Sequence, residues 1–470
     1  MKKQYQKSLF IFRRDLRLED NTALINALKS SECIIPCFIL DPRQVESKNN
    51  QYKSDNALQF MIESLRDLDR QLLLLKHNDQ SRLYLFYGEQ ENVVKQLISC
   101  EKIDAVYVNK DYTPFSKKRD NCINQICYQS NVAFYQYADS LINEPEFVTD
   151  DNGKPFKIFT YFLKKSIIFP INSPLNYVYN ENNFYIESIE SEVEKEDIYK
   201  IVIEKPNEHI YAHGGRKNCL KILMNLNRFK GYLLERDYPA KQQTTGLSAH
   251  IKFGTCSIRE VYHSIENQLG RDHLLIKQLY WRDFFTYIAY HFPYVFGKAF
   301  NQKYDKIKWD DSNKTAFKIW CDGITGFPIV DAGMRQLNKT GFMPNRLRMI
   351  VASFLTKDLH IDWRWGEKYF AQKLVDYDPC VNNGSWQWAA STGCNVQHYL
   401  RTFNPWIQQK KIDPECEYVK KWVTELKDVP ARLIHNLDKQ RPLQLIDYPI
   451  PILDHYKEII QSKNMFLSVR

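Results

Sequence analysis

The residues best suited to chemistry lie between Gln278 and Trp406, in a stretch rich in tryptophan, arginine, asparagine and paired aspartates. Its densest segments read QLYWRDFF, NRLRM and DYDPCVNNGSWQWAAST. The stretch carries no nucleophile–base pattern and no metal-ligand spacing. Indoles and guanidiniums at short spacing suit stacking on flat π-systems and holding phosphates. The composition therefore predicts a planar redox cofactor and a nucleic-acid substrate, with no metal.

The first 140 residues contain the elements of an α/β domain. Helical patterns separate the strand-like apolar runs, so a doubly wound parallel sheet is expected. No GxGxxG follows the first run, which argues against an ordinary dinucleotide site. Helix starts are predicted at Asp20-Asn21, Asp55-Asn56 and Thr113-Pro114. The five predicted strands are Ser8–Phe12, Cys33–Leu40, Arg82–Tyr87, Ala105–Val108 and Val132–Tyr137.

The remainder of the chain changes character twice. Prolines and the acidic tract SIESEVEKEDIYK mark residues 141–210 as a long interdomain connector. Helical periodicity then dominates residues 211–470, and strand-like runs disappear. We therefore expect a Rossmann-like domain over 1–140 joined by the connector to an all-helical domain. A buried helix stripe is predicted at Leu347, Ile350, Val351, Phe354, Leu355 and Leu359.

Composition limits the class of protein. The chain has 470 residues, of which 44% are hydrophobic and 14% aromatic, and a net charge of +9, compatible with an anionic partner. Eleven cysteines without a CxxC pair indicate reduced, mostly buried thiols. No secretory signal and no membrane-length apolar run are present. We expect a cytoplasmic protein, nucleoid-associated if prokaryotic.

Six motifs, taken together, point to a family. FIFRRDLRLEDNTAL, TTGLS, WRDFF, TGFPIVDAGMRQL, NRLRM and NNGSWQWAAST follow in this order between Phe10 and about Trp422. They resemble the DNA photolyase/cryptochrome family, and NRLRM and WQWAAST are most similar to class I cyclobutane pyrimidine dimer photolyases. The resemblance implies an N-terminal antenna-type domain and a helical domain that binds folded FAD. It also implies light-driven electron transfer from FADH⁻ to a flipped-out dimer in DNA.

The resemblance also assigns cofactor residues. Arg348 would pair with Asp376 beside the flavin, and Asn382 would face flavin N5. Read alone, TTGLS is only a polar turn, and the aspartates of DYDP are helix-capping residues. The FAD-binding positions implied are Tyr232, Thr244, Thr245, Gly246, Leu247, Ser248, Asp376, Tyr377, Asp378 and Asn382.

Further residues match electron-transfer and DNA-binding positions of the family. Trp386, Trp363 and Trp309 match a chain of indoles that carries an electron to oxidised flavin, with Trp309 at the surface end. Trp281 and Trp388 match the pair that sandwiches the extruded dimer, which Met349 and Gln278 would touch. Structural tryptophans and a core Met349 are the alternatives. The DNA contacts implied are Arg236, Trp281, Arg282, Asn345, Arg346 and Gln408.

The chain departs from the class I pattern at several positions. Gln278 replaces a common glutamate, as in six-four photolyases and cryptochromes, whereas Pro344-Asn345 stands where six-four enzymes carry histidines. Six-four repair and a cryptochrome-type photoreceptor are therefore kept as alternatives; the latter usually has a long C-terminal extension. Lys110 replaces a glutamate of folate-binding members, so a folate or deazaflavin antenna stays open. We expect a monomer.

Overall fold

The computed structural model describes residues 3–75, 82–179, 181–394, 402–439 and 447–469. The five predicted strands are confirmed as β1 (Tyr5–Phe12), β2 (Ser31–Leu40), β3 (Tyr84–Tyr87), β4 (Ala105–Asn109) and β5 (Ala133–Tyr137). They pair in parallel in the order β3-β2-β1-β4-β5. The chain changes direction across the sheet between β1 and β4, as it does in doubly wound folds.

Helices cover both faces of this sheet. Because successive strand side chains alternate in direction, Phe10 and Phe12 of β1 pack on one side, and Leu9 and Ile11 pack on the other. Helices α1 and α3 cover the first face, and α4 and α5 cover the second. The helices of this region are α1 (Thr22–Ser30), α2 (Pro42–Val45), α3 (Asp55–Leu74), α4 (Gln90–Glu101) and α5 (Pro114–Gln129).

Two of the three predicted helix starts are confirmed. Asn21 caps α1 by accepting a hydrogen bond from Leu24 N, and Thr113 caps α5 ahead of Pro114. The third was wrong by one residue, because the Ser54 hydroxyl caps α3. Asn56 instead donates from Nδ2 to Lys373 O of the helical region (2.6 Å). Its amide therefore joins the two halves of the chain.

The connector packs against both halves of the chain. Tyr185 N donates to Ile34 O of the sheet (2.8 Å), while Phe159 and Phe162 are buried among helices of the second half. It contains α6 (Phe159–Ser166), a 3₁₀ turn (Glu181–Asn183) and α7 (Lys195–Val202). These elements fix the connector along the surface of both domains.

After the connector, no extended strand occurs among the described residues. The α-helices are α8 (Arg216–Met224), α9 (Tyr232–Glu235), α10 (Leu247–Phe253), α11 (Ile258–Leu269), α12 (Leu274–His291), α13 (Lys314–Asp322), α14 (Pro328–Thr340), α15 (Asn345–Ser353), α16 (Trp363–Lys373), α17 (Pro379–Ala390), α18 (Pro405–Ile412), α19 (Glu417–Trp422), α20 (Ala431–Ile434) and α21 (His455–Leu467). Shorter 3₁₀ turns are Leu226–Phe229, Pro239–Lys241, Pro293–Val295, Gln302–Lys306 and Thr424–Leu426, and a π-helical turn spans Phe354–Asp358.

The predicted stripe from Leu347 to Leu359 is buried throughout. It belongs to a core that includes Trp320, Trp363 and Trp386. All eleven cysteines are free thiols, and eight of them are buried. Among the described residues, no helix combines the length and apolarity needed to cross a bilayer.

Candidate cofactor and DNA site

Helix α17 lies at the centre of the site. Its start is fixed by Pro379 at the first position and by Asp378, whose carboxylate accepts hydrogen bonds from Cys380 N and Val381 N. Asn382 and Trp386 follow at four-residue spacing and share one face of the helix. The predicted capping role of Asp378 is thus compatible with a place beside a cofactor.

The predicted pair of Arg348 and Asp376 is present. Arg348 Nη2 lies 3.1 and 3.0 Å from the two carboxylate oxygens of Asp376, and its Nε donates to Met343 O (2.7 Å). The guanidinium lies over the ring of Phe342, with 5.5 Å to the centroid. Phe342 stacks on Tyr211 at 3.8 Å. The charge pair is therefore held against an aromatic wall.

The loop from Thr244 to Ser248 forms an open backbone turn before α10. Gly246 has a φ of +70°, and a Cβ there would lie 3.3 Å from the Tyr211 ring. Within the described part of the chain, the N–H groups of Thr245 and Gly246 donate no hydrogen bond. Leu247 is buried, Ser248 is exposed, and Tyr232 is half-buried. The loop thus has backbone donors that could meet an anion, and its predicted role in phosphate binding stays a prediction.

Asn382 is oriented by a network that the sequence analysis missed. Its Nδ2 donates to Glu367 O (3.0 Å), which leaves Oδ1 as the acceptor. Asn383 Nδ2 donates to Glu367 Oε1 (2.9 Å), and Gln387 Nε2 donates to Asn383 Oδ1 (3.0 Å). Burial raises the pKa of Glu367 to about 7. The sequence does carry one sign of this network, because several polar residues fall on α17, a helix that is mostly buried.

Arg14, at the end of β1, is a second residue that was missed. Its guanidinium forms an ion pair with Asp378 and lies 3.3 Å from Asp111 Oδ1 after β4. Burial alone would raise the pKa of Asp378, but Arg14 holds it below its usual value. Lys252 of α10 faces the same charges, and burial lowers its pKa to about 7. The sheet's carboxyl edge therefore fixes the start of α17.

Two of the three predicted relay tryptophans lie in the interior, and the third lies nearer the surface. Trp386 and Trp363 are buried, and Trp309 is half-buried with Phe466 against it (6.2 Å between centroids). Gly366 of α16 allows Trp386 to approach that helix closely, because an added Cβ would lie 2.5 Å from Trp386 Cζ3. A buried-to-surface order is what an electron relay requires.

Trp281 and Trp388 lie on α12 and α17, and both are half-buried. The two helices approach closely where Gly384 meets Phe285, since a Cβ on Gly384 would lie 2.7 Å from Phe285 Cγ. Gly384 precedes Trp388 by one turn, and Phe285 follows Trp281 by one turn. The missing side chain therefore sets how closely the two helices that carry these indoles approach each other.

The residues predicted to contact DNA are not equally available. Asn345 is exposed, and its Nδ2 lies 3.6 Å from Met349 Sδ. Arg236 is one-third exposed, and Arg346 forms an ion pair with Asp237. Arg282 is committed to Ser140 O and Asp283. Gln278 and Gln408 are half-buried.

A cavity of about 390 Å³ opens beside these residues and the Thr244 loop. Its lining includes Arg236, Tyr238, Thr244, Phe342, Pro344 and Trp422. It therefore places Arg236, one of the predicted DNA-binding residues, at the same cavity as Phe342, the ring against which Arg348 lies.

Family comparisons agree with this architecture. A family model described as DNA photolyase matches residues 8–168, and one described as the FAD binding domain of DNA photolyase matches residues 275–466. The chain is 34% identical over 481 residues to a deoxyribodipyrimidine photo-lyase of Alkalihalophilus pseudofirmus, covering 97% of this chain and 96% of that protein. The Escherichia coli protein of the same name is 32% identical over 484 residues, with 98% of each chain covered.

Solved structures of two photolyases and a cryptochrome are similar to this chain over nearly its whole length. An archaeal photolyase from Sulfolobus tokodaii with two FAD molecules has a TM-score of 0.87 and 42% identity, covering 98% of this chain and all of that one. A class III photolyase from Agrobacterium tumefaciens has a TM-score of 0.88 and 31% identity, covering 100% and 98%. A Synechocystis cryptochrome has a TM-score of 0.87 and 26% identity, covering 99% and 100%.

Proposed function

The chain belongs to the DNA photolyase family, and we propose that it uses light to split cyclobutane pyrimidine dimers in DNA, as a deoxyribodipyrimidine photo-lyase. One observation carries this proposal. Helix α17 presents Asn382, Trp386 and Trp388 within two turns, so that one rigid element serves cofactor, electron relay and lesion. Such a combination has no evident use in a hydrolase or a purely structural protein.

The donors on this chain fit FAD. The unpaired N–H groups of Thr245 and Gly246 suit a diphosphate, and the charge pair of Arg348 and Asp376 suits the polar edge of a flavin. We infer that the cofactor is held by Tyr232, Thr244–Ser248, Asp376–Asp378 and Asn382. When bound and reduced, FAD supplies a photoexcited electron that returns after the dimer opens.

The chain's own residues prepare this chemistry. Because Asn382 donates from Nδ2 to Glu367 O, its Oδ1 can only accept, which suits an N–H donor at flavin N5. The positive charge of Arg348 favours a negative charge nearby. Neither role requires proton transfer to the substrate.

Trp386, Trp363 and Trp309 form the proposed route by which an external donor restores the reduced cofactor. Indoles are readily oxidised rings, and intermediate rings divide a long transfer into short steps. The half-buried Trp309 would be the residue that meets the external donor.

DNA would be held mainly through its backbone. We propose that Arg236 and Arg346 hold phosphates and that Asn345, Met349 and Gln408 make further DNA contacts. Trp281 and Trp388 would take the dimer once it leaves the duplex, since base–aromatic stacking contributes about 1–3 kcal/mol per base. We further propose that the protein acts as a monomer in the compartment that holds the cell's DNA.

Two alternatives have specific support. Gln278 favours six-four photoproducts, although Pro344 and Asn345 do not. Structural similarity to a cryptochrome favours a photoreceptor that acts through a partner.

A second chromophore is a separate proposal. One similar structure contains two FAD molecules. In this chain, Asn109 Nδ2 donates to Asp15 and Asn21, and Lys110 Nζ donates to Glu144. These contacts do not distinguish one chromophore from another, so the second FAD of that similar structure is what favours a flavin-type antenna over a folate or deazaflavin. More than one flavin per chain would identify a flavin-type antenna, whereas an absorption band that oxidised FAD lacks would identify a folate or deazaflavin.

The test is direct illumination. Reduced protein is mixed with DNA containing either cyclobutane dimers or six-four photoproducts, and each lesion is counted before and after blue light. Loss of cyclobutane dimers alone supports the proposal, and loss of six-four products alone transfers it to that lesion. Retention of both lesions by a flavin-loaded protein would reject repair and favour the photoreceptor.

A further inference from the structure

The ring of Phe159 lies flat against the indole of Trp281. Their centroids are 3.6 Å apart and their planes differ by 8°. Phe159 is the first residue of α6 and is 3% exposed. A parallel ring at this distance occupies one face of the indole.

The connector segment that carries Phe159 is fastened to α12 at several points. Hydrogen bonds join Arg282 Nη1 to Ser140 O (2.7 Å), Ile142 N to Asp283 Oδ2 (2.7 Å), Tyr287 Oη to Val148 O (2.8 Å) and Phe156 N to Tyr287 Oη (2.7 Å). Because these bonds hold the segment along the helix that also bears Trp281, the two rings are fixed in register.

Other rings restrict the edges of the indole. Phe284 meets Trp281 edge-on at 5.9 Å and meets Phe159 edge-on at 5.6 Å. Phe285 lies 5.7 Å from Trp281. Among the described residues, no aromatic ring stacks on the opposite face of the indole.

We propose that Phe159 is a positioning residue for lesion recognition. It occupies one face of Trp281 and fixes the orientation of the indole, so that only the other face receives an extruded dimer. An aromatic platform fixed before binding loses less conformational entropy when the base stacks on it. This inference rests on the proposed function and assigns to the connector a part in discriminating damaged from undamaged DNA.

Phe159→Leu is the test, and Phe162→Leu is its matched control. Phe162 lies on the same helix, is equally buried, and contacts Phe284 and Tyr287. Binding of dimer-containing and undamaged oligonucleotides is measured in the dark, together with FAD content and photoreduction rate. Phe159→Leu should weaken dimer binding by about 3- to 10-fold, a part of the full stacking contribution. Binding of undamaged DNA, FAD content and photoreduction should stay unchanged.

The control variant should retain the native preference for dimers despite a similar loss of thermal stability. If both variants lose the preference equally, or if Phe159→Leu keeps it, the positioning role is overturned. Phe159→Met, which fills volume without a flat ring, replaces the leucine variant should that fail to fold. Trp281→Leu distinguishes the proposed lesion site from the proposed role of Phe159. If Trp281→Leu keeps the native preference for dimers, Trp281 is not part of the lesion site. If Trp281→Leu loses the preference and the Phe159 variants keep it, only the positioning role of Phe159 is refuted.

Discussion

Replacing Gly366 by alanine should disturb Trp386, the buried end of the proposed relay. An alanine Cβ would lie 2.5 Å from Trp386 Cζ3 and 2.6 Å from Leu355 Cδ2. Both distances are about 1 Å shorter than ordinary van der Waals contact. Neither neighbour can retreat easily, because Trp386 and Leu355 are buried in the same core. The indole must therefore move or the helices must separate.

The magnitude follows from two opposing effects. Alanine stabilises a helix interior by about 1 kcal/mol relative to glycine, whereas overpacking a filled core costs about 1–3 kcal/mol. We expect the overpacking to prevail at Gly366, with a net loss of up to about 2 kcal/mol. Gly333 of α14 is the matched control, since its added Cβ would lie 3.3 Å from Val351 Cγ1. The same substitution there should change stability by no more than about 1 kcal/mol in either direction, because Val351 has to give way by only a few tenths of an ångström.

Thermal unfolding of the flavin-loaded variants and their rate of photoreduction under blue light are the two measurements. Each kcal/mol shifts the unfolding temperature by about 2–4 °C in a domain of this size. Gly366→Ala should unfold at a lower temperature and photoreduce more slowly, whereas Gly333→Ala should photoreduce at the native rate. The reasoning is refuted if Gly366→Ala matches the control in both respects.

Three further predictions address the relay, the DNA face and a buried carboxyl. Trp386→Phe should abolish photoreduction from oxidised FAD but spare repair by chemically reduced protein, because only the first process draws an electron through the chain; equal loss in both states would contradict the relay. Arg346→Ala should weaken DNA binding and lower the slope of log K against log salt by about 1, whereas Asp237→Asn should strengthen binding by freeing the guanidinium. DNA-binding titrations at several salt concentrations test both variants. If Arg346→Ala has the same slope as the native protein, Arg346 does not contact a phosphate. Because burial raises the pKa of Glu367 from 4.5 to about 7, the native protein should lose up to about 3 kcal/mol of stability as the pH rises through this window. Glu367→Gln should not show this loss, and denaturant unfolding at pH 4.5 and pH 8 measures the difference.

The sheet could be predicted from the sequence because a buried parallel strand is a short apolar run, and each such run stands alone between helical patterns. The cap of α3 was misplaced because Ser54 and Asp55 are both good capping residues. Local propensity does not separate them, whereas the contact of Asn56 with Lys373 O fixes the helix register from a distant part of the chain.

For the candidate site, the motifs gave residue types and spacing but not their partners. Arg14 reaches Asp378 across most of the chain, and Phe159 reaches Trp281 from the connector. Contacts between distant residues leave no periodic signal in a single sequence. Arg282 shows how residue type alone can mislead. An arginine suits a phosphate, but this guanidinium is already bound to Ser140 O and Asp283.

These distant contacts explain why a helical cofactor domain is attached to a parallel sheet. Arg14 fixes Asp378, and Asp378 fixes the first turn of α17. At the other end of this helix, the buried amine of Lys357 donates to Ala389 O and Ser391 Oγ. A helix anchored at both termini cannot slide along its axis without breaking buried polar contacts, which cost more than exposed ones. Since Asn382, Trp386 and Trp388 all lie between these anchors, one pair of contacts would keep the proposed cofactor, relay and lesion positions in a constant relation.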